Sequence, residues 1–459
     1  MKTEDIQSVY FVGAGGIGMS ALVRYFLAKN IPVAGYDRVR TALTDTMTAE
    51  GACLHFEDNP SLIPDAFKDK ESTLVVYTPA VPNTHQELNY FLDNGFEVMK
   101  RAQVLGILTR SLKGLCVAGT HGKTTTTTML AHLLMQTPEK CNAFLGGISK
   151  NYDTNYLFSQ QSPYVVVEAD EFDRSFHWLS PYISVVTATD PDHLDIYGTY
   201  ENYLASFRKY SSLIEPGGTL VVHTGLAFKP DLQPGVRQLS YGMHAGDFHA
   251  ENIRMGGGEV SFDFISPFGN VPGIRLGVPM EVNIENGVAA MAVAQLCGVS
   301  DDEIKQGMES FQGVVRRFDI KIKTDKLVLL SDYAHHPQEV KRCAESLRSV
   351  FNGRKITTIF QPHLYTRTRD LYKDFAKSLS VFDEVVLCEI YPAREEPIEG
   401  ITSRIIYDRL EEGVERHLID SKCVQEFVKN HDFDVLVILG AGNLDDQMPA
   451  LEDLLRPRS

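Results

Sequence analysis

Short runs of aliphatic and β-branched residues recur along the chain, and most of them end in glycine, proline or acidic residues. Stretches with helical character separate the runs. This alternation predicts parallel sheets with right-handed helical crossovers, because parallel strands need long connections. The predicted fold class is therefore α/β. The stretches that carry the prediction are 9–12, 31–37, 72–82, 164–173, 183–195, 327–337, 355–363, 383–392 and 434–443.

The chain of 459 residues is too long for one ordinary domain. Three blocks follow from the order of strands and glycine turns. Residues 1–106 and 315–459 each read as an alternating α/β unit, and residues 107–314 open with a strand, a glycine-rich loop and a helix. We therefore predict three domains with these bounds, and the strand order within each sheet stays open.

The formal net charge is -16, which argues against a protein that grips nucleic acid or an anionic membrane. The seven cysteines are scattered and form no Cys-x-x-Cys pair, which favours reduced thiols. Acidic residues stand near the amino terminus, where a signal peptide has basic ones. We expect a cytoplasmic protein that is a monomer or a homodimer.

The stretch "GTHGKTT" (119–125) lies between a predicted strand and a predicted helix. Glycines let backbone N–H groups converge on an anion, and the helix terminus adds partial positive charge. A lysine here reaches the terminal phosphates of ATP, and the next hydroxyl can bind Mg²⁺. The general phosphate-loop pattern wants glycine at position 117, where this chain has Val117. The predicted ATP-binding residues are Gly119, Thr120, His121, Gly122, Lys123, Thr124 and Thr125.

A second glycine turn, "GAGGIG" (13–18), follows the first strand, and Asp37 ends the next one. This spacing is typical of a turn that holds the pyrophosphate of a dinucleotide. NAD, FAD and a nucleotide-diphosphate sugar all carry that group, so a nicotinamide-dependent oxidoreductase is an open alternative. A tight turn without a ligand and a non-catalytic nucleotide-binding regulator are others. The candidate residues are Gly13, Ala14, Gly15, Gly16, Ile17, Gly18 and Asp37.

Acidic residues and a histidine follow two strands of the central block. Glu168 comes after "YVVV", and His193 lies among the acids that follow "SVVTAT". Carboxyl ends of neighbouring parallel strands meet at one edge of a sheet. Carboxylate and imidazole groups there suit Mg²⁺ beside a phosphate loop.

Taken together and in order, six motifs resemble those of the Mur ligases of peptidoglycan synthesis: "GTHGKTTTT" (119–127), "EADEFDRSF" (168–176), "DHLD" (192–195), "RRFD" (316–319), "DYAHHP" (332–337) and "QPHLYTRTRDL" (361–371). The resemblance covers essentially the whole chain. It implies an N-terminal Rossmann-like domain for a UDP-sugar, a central phosphate-loop ATPase domain with a mostly parallel sheet, and a C-terminal Rossmann-like domain for an amino acid.

Three stretches, "GGIGMSA", "DYAHHP" and "HLYTRTRDL", are similar to the branch that adds L-alanine to UDP-N-acetylmuramate. The implied reaction uses ATP and two Mg²⁺ ions and passes through an acyl phosphate on the lactyl carboxylate. A sister branch that attaches a recycled peptide to the same sugar nucleotide is the nearest alternative. The turn at 13–18 would then hold the UDP-sugar and not NAD.

The resemblance also implies roles for single residues. Lys123 matches the lysine that binds the γ-phosphate, and Thr124, Glu168 and His193 match the magnesium ligands. Asn283, Asn286 and Arg317 match residues that contact ATP, and Asp332 matches an acid near the reacting groups. The candidates for binding a carboxylate of L-alanine or of the sugar substrate are His335, Arg367 and Arg369.

Overall fold

The computed structural model describes residues 6–191, 194–256, 258–393 and 395–458. Within these ranges the chain divides into two compact units. The first comprises residues 1–251, 264–272 and 285–308, and the second comprises 252–263, 273–284 and 309–459. The three domain ranges inferred from the sequence stay predictions.

The first unit begins with a five-stranded parallel sheet in the order β3-β2-β1-β4-β5. Strand order reverses between β1 and β4, so the loop that leaves β1 lies at a switch point, where α/β sheets bind ligands. The elements are β1 (Ser8–Val12), α1 (Ile17–Ala28), β2 (Val33–Tyr36), α2 (Ala42–Ala49), β3 (Cys53–His55), β4 (Thr73–Tyr77), α3 (Gln86–Asp93), β5 (Glu97–Lys100) and α4 (Arg101–Ser111).

A second, seven-stranded sheet of the same unit has the order β12-β11-β10-β6-β9-β7-β8. Its pairs are parallel except for β7 with β8. The elements are β6 (Lys113–Ala118), α5 (Lys123–Leu134), β7 (Asn142–Ser149), β8 (Thr154–Leu157), β9 (Tyr164–Ala169), β10 (Ile183–Val186), α6 (Leu194–Tyr197), α7 (Tyr200–Ser211), β11 (Thr219–His223) and β12 (Arg237–Tyr241).

A small sheet of three strands follows, in the order β13-β14-β15, and two helices come after it. The sequence analysis did not predict this sheet. Its strands are polar on one face, as the alternating exposure along β14 shows, so they lack the continuous apolar runs of buried parallel strands. The elements are β13 (His249–Gly256), β14 (Glu259–Ile265), β15 (Val271–Arg275), α8 (Val282–Leu296) and α9 (Asp301–Ser310).

The second unit contains a six-stranded sheet in the order β16-β17-β21-β18-β19-β20. Only the pair β16 and β17 is antiparallel among these described strands. The elements are β16 (Asp319–Lys323), β17 (Val328–Asp332), α10 (Pro337–Val350), β18 (Ile356–Phe360), α11 (Tyr365–Leu379), β19 (Glu384–Leu387), α12 (Arg404–Tyr407), β20 (Glu415–Leu418), α13 (Val424–Asn430), β21 (Val435–Leu439) and α14 (Met448–Leu455).

The predicted α/β class with mostly parallel sheets is confirmed. Helix α1 begins at Ile17, two residues before the predicted start near Met19. None of the seven cysteines, all of which lie in the described residues, forms a disulfide. No helix within the described part of the chain has both the length and the apolar character needed to cross a bilayer.

Asn155, on β8, connects the two sheets of the first unit. Its fully buried side chain accepts a hydrogen bond from Nη1 of Arg24 at 2.7 Å. Its Nδ2 donates to the carbonyl of Ile17 at 2.5 Å and to Oγ of Ser20 at 2.9 Å. Helix α1, which begins in the glycine turn, is thereby held against the edge of the seven-stranded sheet.

His132 on α5 predicts a loss of stability in acid. Burial lowers the pKa of this side chain to about 4. The unfolded chain therefore binds a proton below its ordinary pKa of about 6.5, whereas the folded chain does not. Stability is full above about pH 6.5 and falls as the pH drops toward 4.

We expect the free energy of unfolding to fall by about 2 kcal/mol from pH 7 to pH 5 through this residue. His132→Gln should flatten that part of the profile, whereas the exposed His244→Gln should not. Urea unfolding at several pH values measures both. Equal slopes in all three proteins would contradict the assignment.

Candidate active site

The loop between β6 and α5 has the backbone that a phosphate loop requires. Gly119 has φ of 134°, and a Cβ there would lie 2.1 Å from Oγ1 of Thr187. Gly122 has φ of 79°, and a Cβ there would lie 2.7 Å from Oδ1 of Asn286. Only glycine is tolerated at both positions. Val117, by contrast, is buried within β6 and pairs with Glu168, so the loop begins two residues later than the general pattern.

The loop is anchored to the segment that follows β10. The backbone N–H of Thr120 donates to the carbonyl of Ala188 at 3.0 Å, and Oγ1 of Thr187 donates to the carbonyl of His121 at 2.5 Å. Oγ1 of Thr120 also lies 2.9 Å from the hydroxyl of Tyr203. These contacts hold the loop in shape, and no side chain caps the start of α5.

Lys123 is held by a buried carboxylate and by the loop itself. Its Nζ lies 2.8 Å and 3.0 Å from the two carboxylate oxygens of Glu171 and donates to the carbonyl of Gly119 at 2.6 Å. The Glu171 side chain is 1% exposed. Burial raises the pKa of Glu171 although Lys123 opposes that rise. For Lys123, burial disfavours the charge, but the carboxylates of Glu171, Glu168 and Asp170 outweigh it, and the pKa is raised.

The backbone around Glu171 turns sharply. The two residues Asp173 and Arg174 both have positive φ, 51° and 54°. The hydroxyl of Tyr197 donates to the carbonyl of Glu171 at 2.5 Å, and Lys100 pairs with Asp173 at 2.7 Å. The left-handed backbone at these two positions is strained for residues other than glycine, and these contacts hold the turn that follows Glu171.

Glu168, at the end of β9, lies over a glycine of the neighbouring strand β7. A Cβ at Gly146 would lie 2.0 Å from Oε2 of Glu168, so a larger residue there would displace the carboxylate. Oε2 is buried and has no hydrogen-bond partner among the described residues. The structure therefore places an unsatisfied carboxylate oxygen near the ammonium of Lys123.

Asn286 and His193 are two further site residues that the sequence predicted in this part of the chain. Oδ1 of Asn286 accepts a hydrogen bond from Oγ1 of Thr126 at 3.2 Å, so this side chain lies behind the phosphate loop. His193 lies outside the described residues. Asp190, which precedes it, lies 3.7 Å from Nε2 of His121.

The carboxylate of Asp37 binds the backbone of the glycine turn at 13–18. The backbone N–H of Gly15 donates to Oδ2 of Asp37 at 2.6 Å, and the second oxygen of Asp37 accepts from the N–H of Val39 at 3.1 Å. A Cβ at Gly18 would lie 2.5 Å from Nη1 of Arg101. The structure thus adds a cation, Arg101, that the sequence analysis did not identify at this turn.

In the second unit, Asp332 ends β17 and is fixed by backbone groups. Its oxygens accept hydrogen bonds from the N–H groups of Phe318 at 2.7 Å and Ala334 at 2.8 Å. Burial raises the pKa of Asp332 despite these bonds and the charge of Arg317. Asn283, also in this unit, donates from Nδ2 to the carbonyl of Val278 at 3.2 Å.

The two adjacent arginines of "RRFD" have different surroundings. Arg316 donates from Nη2 to the carbonyls of Gly440 and Gly442, at 2.9 Å and 3.0 Å. The guanidinium of Arg317 lies 5.0 Å from the centre of the Tyr333 ring and makes no hydrogen bond with the described residues, and only the backbone N–H of Arg317 is bonded, to the carbonyl of Val314. Arg316 is therefore a structural clamp, and Arg317 is open to an anion.

The three candidates for carboxylate binding also differ. Nη1 of Arg367 is buried without a hydrogen-bond partner among the described residues. Arg369 is half exposed and pairs with the neighbouring Asp370 at 2.7 Å. His335 is a close neighbour of Arg367, and burial lowers its pKa, with a smaller contribution from Arg367, although Glu339 opposes the shift. The structure brings Arg367 and His335 together and directs Arg369 to a surface ion pair.

Sequence reasoning missed Glu171 and Gly146. Glu171 stands in the quoted motif "EADEFDRSF", but three acids within four positions gave no basis for choosing the partner of Lys123. Gly146 lies in a strand, and its only signal was a glycine pair, "GG", inside an otherwise apolar run. Arg101 gave no signal, because its role depends on a contact with the turn at 13–18.

Three family descriptions match consecutive parts of the chain. Residues 8–113 match "Mur ligase family, catalytic domain", residues 117–294 match "Mur ligase middle domain", and residues 316–442 match "Mur ligase, glutamate ligase domain".

Similar proteins of full length are also found. The UDP-N-acetylmuramate--L-alanine ligase of Phocaeicola vulgatus is 62% identical over 458 residues, 100% of each chain. That of Parabacteroides distasonis is 55% identical over 456 residues, 99% of this chain and 98% of the relative.

Two solved structures have a similar fold. The crystal structure of UDP-N-acetylmuramate-alanine ligase from Thermotoga maritima has a TM-score of 0.83 and 26% identity, covering 98% of this chain and 100% of that one. A murein peptide ligase from Psychrobacter arcticus has a TM-score of 0.67 and 19% identity, covering 98% of each chain, and shows likeness of fold alone.

The buried pair of Lys123 and Glu171 predicts how ATP affinity responds to a charge change. Glu171→Gln removes a negative charge beside the loop and releases the lysine. We expect ATP to bind about tenfold more tightly, which is about 1.4 kcal/mol, and the gain to depend only weakly on salt because the Glu171 carboxylate is buried.

Calorimetric titration with ATP checks this prediction. The exposed Glu201→Gln is the matched control and should bind as the wild type does. The variant should also lose about 1–3 kcal/mol of stability, because the buried lysine loses its partner. Unchanged or weaker ATP binding by a folded Glu171→Gln protein would contradict the prediction.

Proposed function

This chain belongs to the Mur ligase family, and on that premise we propose that it joins L-alanine to the lactyl carboxylate of UDP-N-acetylmuramate. ATP phosphorylates the carboxylate, the amine displaces phosphate from the acyl phosphate, and ADP and phosphate are the other products. The reaction belongs to peptidoglycan precursor synthesis. The observation that carries the substrate assignment is the 62% identity, over the full length, to a ligase named for these substrates.

The chemical difficulty is electrostatic. A carboxylate about 3.5 Å from one phosphate charge is repelled by about 5 kcal/mol at an effective dielectric constant near 20. That corresponds to more than three decades in rate. Positive groups must offset the repulsion, and Lys123 and Arg317 are the cations that we assign to the phosphates.

The phosphate loop supports ATP binding by its shape and by its charge. Gly119 and Gly122 leave room for backbone N–H groups to converge on phosphate oxygens, and α5 begins at Lys123 without a side-chain cap. We assign the γ-phosphate to Lys123, which must then turn from Glu171 or share its donors between the two. The other predicted ATP contacts, which stay predictions, are Thr120, His121, Thr125, Asn283 and Asn286.

The residues present fit Mg²⁺. Oε2 of Glu168 is a buried carboxylate oxygen without a hydrogen-bond partner among the described residues, and oxygen is the ligand that Mg²⁺ prefers. We propose that Glu168 and the hydroxyl of Thr124 hold one ion, and that His193 helps to hold a second. Bound Mg²⁺ would neutralise phosphate charge at the site of transfer.

The other two substrates are assigned to other parts of the chain. We assign the diphosphate of the UDP-sugar to residues 13–18 with Asp37, and the contact between Gly18 and Arg101 adds a cation beside that turn. Asp332 keeps its predicted place near the reacting groups. Nη1 of Arg367 has no hydrogen-bond partner among the described residues, which supports a carboxylate-binding site formed with His335. Arg369 is paired with Asp370, so its assignment to that site has less support.

Several wider assignments remain proposals. We propose three domains over 1–106, 107–314 and 315–459, and a cytoplasmic location in line with seven cysteines that form no disulfide. The oligomeric state, monomer or homodimer, stays a prediction. The peptide-attaching branch remains the alternative in function, because it shares the fold.

Phosphate release from purified protein tests the function. With ATP, Mg²⁺ and UDP-N-acetylmuramate, we expect release that depends on L-alanine and not on a tripeptide donor. Lys123→Ala should lower the rate at least about 100-fold, since one transition-state cation contributes about 3 kcal/mol. Release that depends on the tripeptide alone would replace the proposal with the sister activity.

The space that Gly146 leaves for Glu168 predicts the effect of one methyl group. Gly146→Ala would place a Cβ 2.0 Å from the present position of Oε2, so the carboxylate must move. We expect a tenfold or greater increase in the Mg²⁺ concentration needed for half-maximal rate, with little change in the KM for L-alanine.

The matched comparison for this variant is Glu168→Gln, which should share the magnesium defect without any steric change. Thermal unfolding shows whether Gly146→Ala is folded. If the folded variant keeps the wild-type dependence on Mg²⁺, Glu168 is not positioned for the metal by this glycine.

A further inference from the structure

The hydrogen-bond partners of His335 decide which nitrogen of its ring carries the proton. Its Nδ1 lies 2.9 Å from the carbonyl oxygen of Tyr333 and 3.2 Å from Oε2 of Glu339. Both partners only accept hydrogen bonds, so Nδ1 carries the hydrogen. In the neutral ring, Nε2 then has a lone pair, and it makes no hydrogen bond within the described parts of the chain.

Glu339 is itself held in position. Its Oε2 accepts hydrogen bonds from the backbone N–H groups of His335 at 3.0 Å and His336 at 3.2 Å. These bonds fix the carboxylate at the start of α10, where it orients the imidazole. A carboxylate that holds one ring nitrogen and leaves the other open is the arrangement of general-base histidines.

The charged and titratable groups around His335 come from several elements. Glu339 lies on α10, Arg367 lies on α11, and Arg317 precedes β16. The rings of Tyr333 and His363 lie 5.0 Å and 6.1 Å from the His335 ring. Burial, and then the two arginines, lower the pKa of His335, whereas Glu339 and the Tyr333 carbonyl oppose that shift. The imidazole is therefore neutral near pH 7.

Arg367 offers a site for the substrate carboxylate beside this base. Its buried Nη1 has no hydrogen-bond partner among the described residues, and a guanidinium fork suits a carboxylate. In an α-amino acid the ammonium is one carbon away from the carboxylate. A carboxylate held by Arg367 thus leaves the ammonium in the neighbourhood that Arg367 shares with His335.

Asp332 is less suited to take a proton. Each of its carboxylate oxygens already accepts a backbone N–H, from Phe318 and from Ala334. These two bonds stabilise the ionised carboxylate, whereas Nε2 of His335 makes no hydrogen bond with the described residues. Of these two groups, His335 is the one with a position free to take a proton.

We infer that Nε2 of His335 is the catalytic base that takes a proton from the ammonium of the amino-acid substrate. The inference rests on the proposed ligase function. One N–H bond of the ammonium breaks and its proton goes to Nε2. The free amine then forms the C–N bond with the acyl phosphate.

The remaining steps balance the reaction. The tetrahedral intermediate collapses, the bond from carbon to the phosphate oxygen breaks, and its electron pair leaves with phosphate. The second proton of the former ammonium leaves with that phosphate. His335 then releases to solvent, from Nε2, the proton that it took from the ammonium. The base is needed because an amine with a pKa of about 8 to 10 is mostly protonated at pH 7 and has no lone pair to attack with.

Hydroxylamine separates proton removal from the other steps, because it is already unprotonated near neutral pH. With UDP-N-acetylmuramate, ATP and Mg²⁺, it attacks the acyl phosphate to give a hydroxamate. We expect His335→Gln to lower kcat with L-alanine about 100-fold or more. Hydroxamate formation should stay within about threefold of the wild type, and the KM for ATP should not change.

The pH profile is a second readout. For the wild type, kcat/KM for L-alanine should fall in acid along a limb that reports the lowered pKa of His335, and His335→Gln should lose that limb. Exposed His244→Gln is the matched control and should behave as the wild type does. Glu339→Gln should weaken alanine turnover less than His335→Gln and should also spare hydroxylamine.

Each other outcome has a distinct meaning. Equal losses with L-alanine and hydroxylamine would overturn the inference, because His335 would then serve binding or folding. Full alanine turnover by His335→Gln would overturn it as well. A wild-type protein that releases no phosphate with either nucleophile would instead overturn the proposed function on which the inference rests.

Discussion

A lysine that is mostly withdrawn from water needs an anion beside it, and in this chain that anion is Glu171. The pair keeps Lys123 charged in the absence of ATP and holds its ammonium against the carbonyl of Gly119. The surrounding structure serves this contact. The two glycines shape the loop, the segment after β10 anchors it, and the hydroxyl of Tyr197 binds the carbonyl of Glu171.

The charged groups of the two units are paired to different degrees. In the first unit, the ammonium of Lys123 is already paired with the carboxylate of Glu171. In the second, Arg317 and Arg367 lack hydrogen-bond acceptors among the described residues, and His335 keeps an open nitrogen. Guanidinium groups without hydrogen-bond acceptors beside a neutral imidazole are the basis on which we propose that this region binds a zwitterionic amino acid.

Local patterns predicted most of the fold. Continuous apolar runs such as those of β9 and β21 are buried on both faces, so their composition alone marks them as parallel strands. The sheet of β13, β14 and β15 escaped prediction because its strands are half exposed and polar. Val117 departs from the general phosphate-loop pattern, which places position 117 in the loop. In this chain the residue belongs to strand β6 instead.

The sequence by itself determined the α/β class, the phosphate loop, the glycine turn and the acid at the end of β9, because each depends on neighbours along the chain. Only the tertiary structure decided that Glu171 faces Lys123, that Gly146 makes room for Glu168, and that Arg367 and not Arg369 lies open beside His335. These are contacts between side chains on different elements. Their distances depend on how the strands and helices pack, and no spacing along one segment encodes them.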